Sequence, residues 1–223
     1  MSDYSPEYPL LILDTSSRKT WVGLKLCPDT LLSKSEEQDP SKTLFKLVEA
    51  VLDGAGKTLA DLASIAYCAG PGSMLGARTA SMAIRSWQGI GIKAAQTVFY
   101  YTSLHAGSRI AFQSLGGNGI VVTDARRSSW NALPFPCSPA TALSLLTNEE
   151  LENREGVIAS FAEFPSWTKT KAELTELSYD PGPLFEGQAF MPLLIPTENA
   201  SPLTIRSNDY KKWDARIHSA PAD

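Results

Sequence analysis

Gly70-Pro71-Gly72-Ser73-Met74-Leu75-Gly76-Ala77-Arg78 is the stretch that decides how this chain folds. Before it, Ser64-Ile65-Ala66-Tyr67-Cys68-Ala69 is a short run of small, β-branched and aromatic residues, the composition of a buried strand. After it, residues 74–90 contain no proline and only scattered glycine, which predicts a helix. A strand, a glycine-rich turn and a helix N-terminus bring backbone close to a neighbour and leave free N–H groups pointing at it. Pro71 fixes the turn, while Gly70 and Gly72 permit backbone angles that other residues resist. The spacing is G-x-G-x-x-x-G rather than the G-x-G-x-x-G of a dinucleotide site, and residues 90–98 supply no carboxylate for a ribose. Gly72-Ser73-Met74-Leu75-Gly76 misses the G-x-S-x-G of a hydrolase elbow by one residue. On pattern alone two readings stay open: a loop that meets a ligand, or a turn that packs a helix tightly on a sheet.

The segments on either side set the frame. Pro9-Leu10-Leu11-Ile12-Leu13 reads as a buried strand that Asp14-Thr15-Ser16-Ser17-Arg18-Lys19 turns back into a second, residues 20–26, with a third over residues 31–35. A helix follows from Asp39-Pro40-Ser41, with Ser41 as its N-cap. Its residues Leu44, Phe45, Leu47, Val48, Val51 and Leu52 cover an arc of roughly 160° at 100° per residue, wider than one sheet contact requires. Gly54 and Gly56 end that helix, and Gly54-Ala55-Gly56-Lys57-Thr58 is its C-cap and not a phosphate loop, because a Walker glycine is missing at Val51. The helix after the glycine turn is built of small residues, which lets neighbours approach it on more than one side, and Arg78 and Arg85 share its polar face. A strand over residues 95–98 and a helix over residues 100–113 complete a ribonuclease H-like α/β lobe. Ser114-Leu115-Gly116-Gly117-Asn118-Gly119 marks the boundary, dividing the chain into lobes 1–114 and 115–223. The second lobe is read as a reduced copy of the first. Its strands are expected over residues 120–124, 128–133 and 157–161, with helical turns over 148–154, a helix over 166–177 and a proline-rich loop over 179–201.

The motif Gly70-Pro71-Gly72-Ser73, with Gly76 and Arg78 beyond it, resembles the signature of one family. It is the B-subunit (TsaB, or YeaZ-like) family of the bacterial machinery that makes threonylcarbamoyladenosine in tRNA. Three further segments agree in order: residues 11–16, the run Val121-Val122-Thr123-Asp124-Ala125-Arg126-Arg127, and Pro202-Leu203-Thr204-Ile205-Arg206. The chain departs from the family in having Pro40-Ser41 before its first helix and Met74 where an aromatic residue is usual. The resemblance implies a two-lobed fold of the actin-like ATPase and sugar-kinase superfamily. It also implies a non-catalytic scaffold that binds the catalytic D subunit and a small ATPase subunit, and meets tRNA only through that complex. The helices over residues 41–53 and 74–90 would then face the partner. Leu44, Leu47, Val48, Val51 and Met82 are the candidate interface, and the same face would serve a homodimer when the partner is missing. Gly70, Pro71, Gly72, Ser73, Gly76 and Arg78 are read as a structural loop.

Composition narrows the remaining chemistry. The 223 residues carry a formal charge of −4, and the basic pairs Arg126-Arg127 and Lys211-Lys212 are isolated, so no basic face for tRNA is expected. Three well-separated cysteines, Cys27, Cys68 and Cys137, read as reduced thiols. Residues 1–9 lack the basic start and apolar run of a signal peptide, and no apolar run approaches the ~20 residues of a membrane span, so a cytoplasmic protein is expected. His105 and His218 are the only histidines; the first reads as a packing residue and the second as solvated, and with three distant thiols they assemble no metal site. Neither the paired-histidine motif of the D subunit nor an H-E-x-x-H motif is present. Asp14-Thr15-Ser16-Ser17 stands where actin-like ATPases and sugar kinases approach nucleotide phosphates, but serines replace the glycine that closeness demands. It reads first as a turn whose side chains bond their own backbone. No cofactor and no catalytic residue is expected. The alternative reading is a nucleotide-dependent small-molecule phosphotransferase of the same superfamily.

Overall fold

The computed structural model describes residues 5–205; Arg206, Lys211, Lys212 and His218 lie outside the described residues. The first half of the chain forms strands β1 (Leu10–Asp14), β2 (Thr20–Cys27) and β3 (Thr30–Glu36), then helix α1 (Pro40–Gly54). Strand β4 (Ser64–Cys68), helix α2 (Met74–Gly89), strand β5 (Val98–Tyr101) and helix α3 (Ser103–Leu115) follow. The second half repeats the plan with β6 (Gly119–Arg126), β7 (Ser129–Phe135), β8 (Ser144–Thr147), α4 (Asn148–Glu152), β9 (Val157–Phe161) and β10 (Thr175–Leu177). Helix α5 (Gly182–Glu186) and strand β11 (Ile195–Thr197) end the described elements.

The two sheets share one topology. The first runs β11-β5-β4-β1-β2-β3 and the second β10-β9-β6-β7-β8, so each places its fourth strand between its fifth and its first. In each, the first strand is antiparallel to the second and parallel to the fourth. This is an α/β architecture of two mixed sheets with helices, compatible with the two-lobed actin-like or ribonuclease H-like fold, and the second half is the reduced copy. Between β9 and β10 it has a loop where the first half has α2.

Period-two alternation puts these sheets together. Leu10 and Ile12 of β1 face one core with α3 and the second sheet, while Leu11 and Leu13 face another with α1 and α2. Every residue of β1 is buried, as expected of a central strand covered on both faces. On β6, Val121 points into the shared core and Ile120 and Val122 point away, toward Leu151 of α4. After β10 the chain crosses back to the first sheet. The Trp21 and Phe185 rings stack at 5.6 Å, and the Lys25 Nζ donates to the Phe185 carbonyl at 2.7 Å, holding the C-terminal end of α5 against β2. β11 then pairs antiparallel with β5.

Several local expectations are corrected. Asp39, not Ser41, caps α1: its side chain accepts from Ser41 N at 2.9 Å, and Pro40 takes the first helical position. Residues 93–96 form a 3₁₀ turn, the strand runs from Val98 to Tyr101, and the next helix waits for Thr102, whose hydroxyl accepts from His105 N. β7 continues through Pro134 to Phe135, beyond its last pairing with β8 at Ala132. The helix expected over residues 166–177 is absent. Trp167 N and Thr168 N donate instead to the Asp124 carboxylate, and Lys171 N to that of Glu152, so side chains take the bonds that helical carbonyls would have made. The stretch 179–201 is loop over about half its length, and it also carries α5, a further 3₁₀ turn and β11.

Candidate functional site

The glycine joint between β4 and α2 is fastened on two sides. Gly70 and Gly72 have φ of 101° and 148°, the region that favours glycine. Ser73 caps α2, its hydroxyl accepting from Gly76 N at 3.1 Å, and its own N–H donates to the Ser16 carbonyl at 2.7 Å. On the other side Ser103 N donates to the Gly70 carbonyl at 3.0 Å, and the Ser103 hydroxyl donates to that of Pro71. A Cβ at Gly72 would meet Ser16 O at 2.2 Å and the Phe164 ring at 2.7 Å. Of the two readings of this loop, the packed turn is what the geometry presents. Arg78 lies on the exposed side of α2.

What the joint packs against is the Asp14 turn. Asp14 is 1 % exposed, yet both carboxylate oxygens are used. Oδ1 accepts from Ser16 N at 2.9 Å and Ser16 Oγ at 2.6 Å. Oδ2 accepts from the hydroxyls of Tyr101 at 2.7 Å and Tyr179 at 2.8 Å. The side chain therefore bonds its own turn, as read from the sequence, and it also reaches two tyrosines that no sequence signal singled out. Burial, and after it the nearby Asp14 charge, holds both phenols well above the usual tyrosine range, so each remains a proton donor. The same two causes push the buried Cys68 thiol upward. Thr15 Oγ1 is buried without a hydrogen-bond partner among the described residues.

The corresponding turn of the second half is built differently. Asp124 Oδ1 also accepts from the amide two residues on, that of Arg126 at 2.5 Å, but its carboxylate otherwise caps the 167–168 segment. Partial burial works to raise the Asp124 pKa, and the amides of Trp167, Thr168 and Arg126 outweigh it and bring the value down. Arg126, Arg127 and Ser128 follow with φ of 62°, 50° and 54°, three left-handed residues without a glycine. The Arg126 guanidinium sits 4.3 Å from the centre of the Trp167 ring. This hairpin and the glycine joint face each other across a cleft of about 580 Å³ lined by Gly72, Met74, Leu75, Asp124, Arg126 and Trp167.

The residues expected at a partner surface divide sharply. Leu44 is 0 % exposed, and Leu47, Val48 and Val51 are buried beside it in the core under α1, so their side chains cannot reach a partner. The wide arc is consumed within the chain, because α1 packs against both the sheet and α2. Phe45, at one edge of the arc, is the member left outside: it is 52 % exposed and stands edge-on to Trp87 at 6.1 Å. Met82 is 58 % exposed and Leu75 57 %, two turns apart on the outer side of α2 with Arg78 and Thr79 between them. Among the described residues no group of three or more His, Cys, Asp or Glu side chains could hold a metal, and no helix is long and apolar enough to cross a membrane.

No protein-family model and no curated protein matches this sequence. Solved structures do. YeaZ from Pseudomonas aeruginosa is similar over 88 % of this chain and 99 % of its own, with a TM-score of 0.64 at 23 % identity. An uncharacterized protein with similarity to the peptidase YeaZ, also from Pseudomonas aeruginosa, gives the same coverage and TM-score at 22 % identity. At that coverage and TM-score, the chain has the fold of YeaZ.

Proposed function

We propose that this chain is a TsaB-like, non-catalytic subunit of the threonylcarbamoyladenosine machinery, binding the catalytic D subunit in the cytoplasm and supporting threonylcarbamoyl transfer to tRNA. The small ATPase subunit joins the assembly, and tRNA is met only through it. The fold and the glycine motif support the family. The observation that carries the partner reading is the exposure of Leu75 and Met82 on α2 together with Phe45 on the neighbouring helix α1. Apolar side chains of this size, more than half in contact with water, are a cost that a partner face removes.

Co-purification with the D subunit of the same organism on a sizing column tests this. Met82→Glu and Phe45→Glu should fold normally, since each position is exposed, and should weaken the complex by more than about a hundredfold if a charge is stranded in the contact. Leu44→Glu is the internal control. At 0 % exposure it should unfold the chain, because burying an unpaired charge costs several kcal/mol. Wild-type binding by both surface variants would place the partner elsewhere. Failure of the unmodified chain to bind any D subunit would remove the reading.

A further inference from the structure

We propose that Asp14 is an internal latch, a buried carboxylate through which the two halves of the chain are fixed against each other. The inference concerns this chain alone and stands whether or not the partner reading does.

Whether the site fits a nucleotide can be decided from its donors. A carboxylate has about four lone-pair sites, and Asp14 meets four donors: Ser16 N, Ser16 Oγ, Tyr101 OH and Tyr179 OH. No lone pair is left for a magnesium ion or its waters. A phosphate loop needs outward amides, and here three of the turn's amides are spent inside the chain. Ser16 N goes to Asp14, Arg18 N to the Glu163 carbonyl at 2.8 Å, and Lys19 N to Ser17 Oγ at 3.1 Å. The carbonyls of Thr15 and Ser16 are covered from the opposite side by Gly76 and Gly72. The carboxylate and three of the turn's amides are thus taken before nucleotide phosphates could meet them, which argues against the phosphotransferase alternative.

In their place the chain supplies its own bridge. Tyr101 ends β5 in the first sheet, and Tyr179 follows β10 in the second. Both hydroxyls converge on one oxygen, Oδ2, so a residue of each half holds the same acceptor. The Tyr179 ring is wedged edge-on against Phe161 at 5.4 Å and Phe164 at 4.8 Å, and its amide donates to Glu163 Oε2 at 2.8 Å. Glu163 returns its carbonyl to Arg18 of the Asp14 turn. The two halves are thus tied through Asp14–Tyr179 and through Arg18–Glu163, within a few residues of each other. A hinge between the sheets would have to break both.

Tyr179→Phe removes one oxygen and keeps the ring. Its expected signature is faster amide exchange in residues 14–20 and in residues 161–179 together, with a melting temperature lower by about 3–10 °C. Tyr101→Phe, lost from within the first half, should loosen residues 14–20 and leave 161–179 unchanged. A folded Tyr179→Phe protein whose exchange at residues 14–20 matches wild type would overturn the latch. Should that variant fail to fold, native-state exchange of the unmodified chain in low denaturant decides. Opening of both segments in one step supports the latch, and separate openings overturn it. Calorimetric titration of the wild type with ATP and magnesium should give no saturable heat; saturable binding weakened by Asp14→Asn would overturn the proposal directly.

Discussion

The Cβ that Gly76 lacks would stand 1.8 Å from the carbonyl oxygen of Thr15. Helix α2 therefore begins in direct backbone contact with the β1–β2 turn, and the position admits no side chain unless one of the two backbones moves. Neither can move freely, since Thr15 lies between β1 and the Asp14 hydrogen bonds while Gly76 N is bonded to the Ser73 cap. Gly76→Ala should accordingly cost at least about 3 kcal/mol, the upper end of what overpacking exacts. Gly72→Val adds a β-branched residue at φ 148° beside Ser16 O and Phe164, and should cost on the order of 1–3 kcal/mol from backbone strain alone. Gly89→Ala is the control, since a Cβ there meets nothing within 4 Å. Urea titration of the three variants orders them, and a Gly76→Ala protein as stable as Gly89→Ala would refute the contact.

The cysteines separate by environment. Cys27, the last residue of β2, is exposed, and hydrogen bonds from the Thr30 side chain and the Asp29 backbone lower its thiol pKa. Cys68 is fully buried, and burial followed by the neighbouring Asp14 charge pushes it well above the usual thiol range. Pulsed alkylation of the native protein near neutral pH should label Cys27 first and leave Cys68 unlabelled until the chain unfolds. Labelling of Cys68 at the native-state rate of Cys27 would show that the Asp14 cluster opens readily.

His105 gives stability a pH dependence. Burial lowers its pKa, the Thr141 backbone works against this, and the Arg109 charge adds a smaller push downward. Nδ1 is 2.7 Å from the Thr102 hydroxyl that caps α3. A histidine held neutral in the native state binds its proton more readily when unfolded. Its contribution is thus full above the ordinary imidazole pKa of about 6.5 and is lost as pH falls below that value toward the depressed native pKa. Melting temperature should decline as pH falls from 7.5 to 5.5, and the decline should flatten in His105→Asn. An equal slope in that variant would assign the effect to other groups.

The legible part of this protein was local. β1 could be read from Leu10–Leu13 because four branched apolar residues in a row, flanked by Pro9 and Asp14, read as a buried strand. The glycine joint announced a close approach because glycine is needed wherever φ is positive or a Cβ has no room. Where the sequence misled, a nonlocal partner was responsible. Residues 166–177 have ordinary helical composition, yet Asp124 and Glu152, distant in sequence, take their amides. The arc of α1 had the right width, but which part faces outward depends on how α2 lies beside it, and that left Phe45 outside and Leu44 within. The Asp14 cluster is the clearest case. Asp14 and its serine turn could be seen in sequence, whereas Tyr101 and Tyr179 lie 87 and 165 residues away. A hydrogen bond across such distances leaves no periodicity or spacing to read, because it exists only once β5 lies in the sheet of β1 and the second sheet is packed against the first.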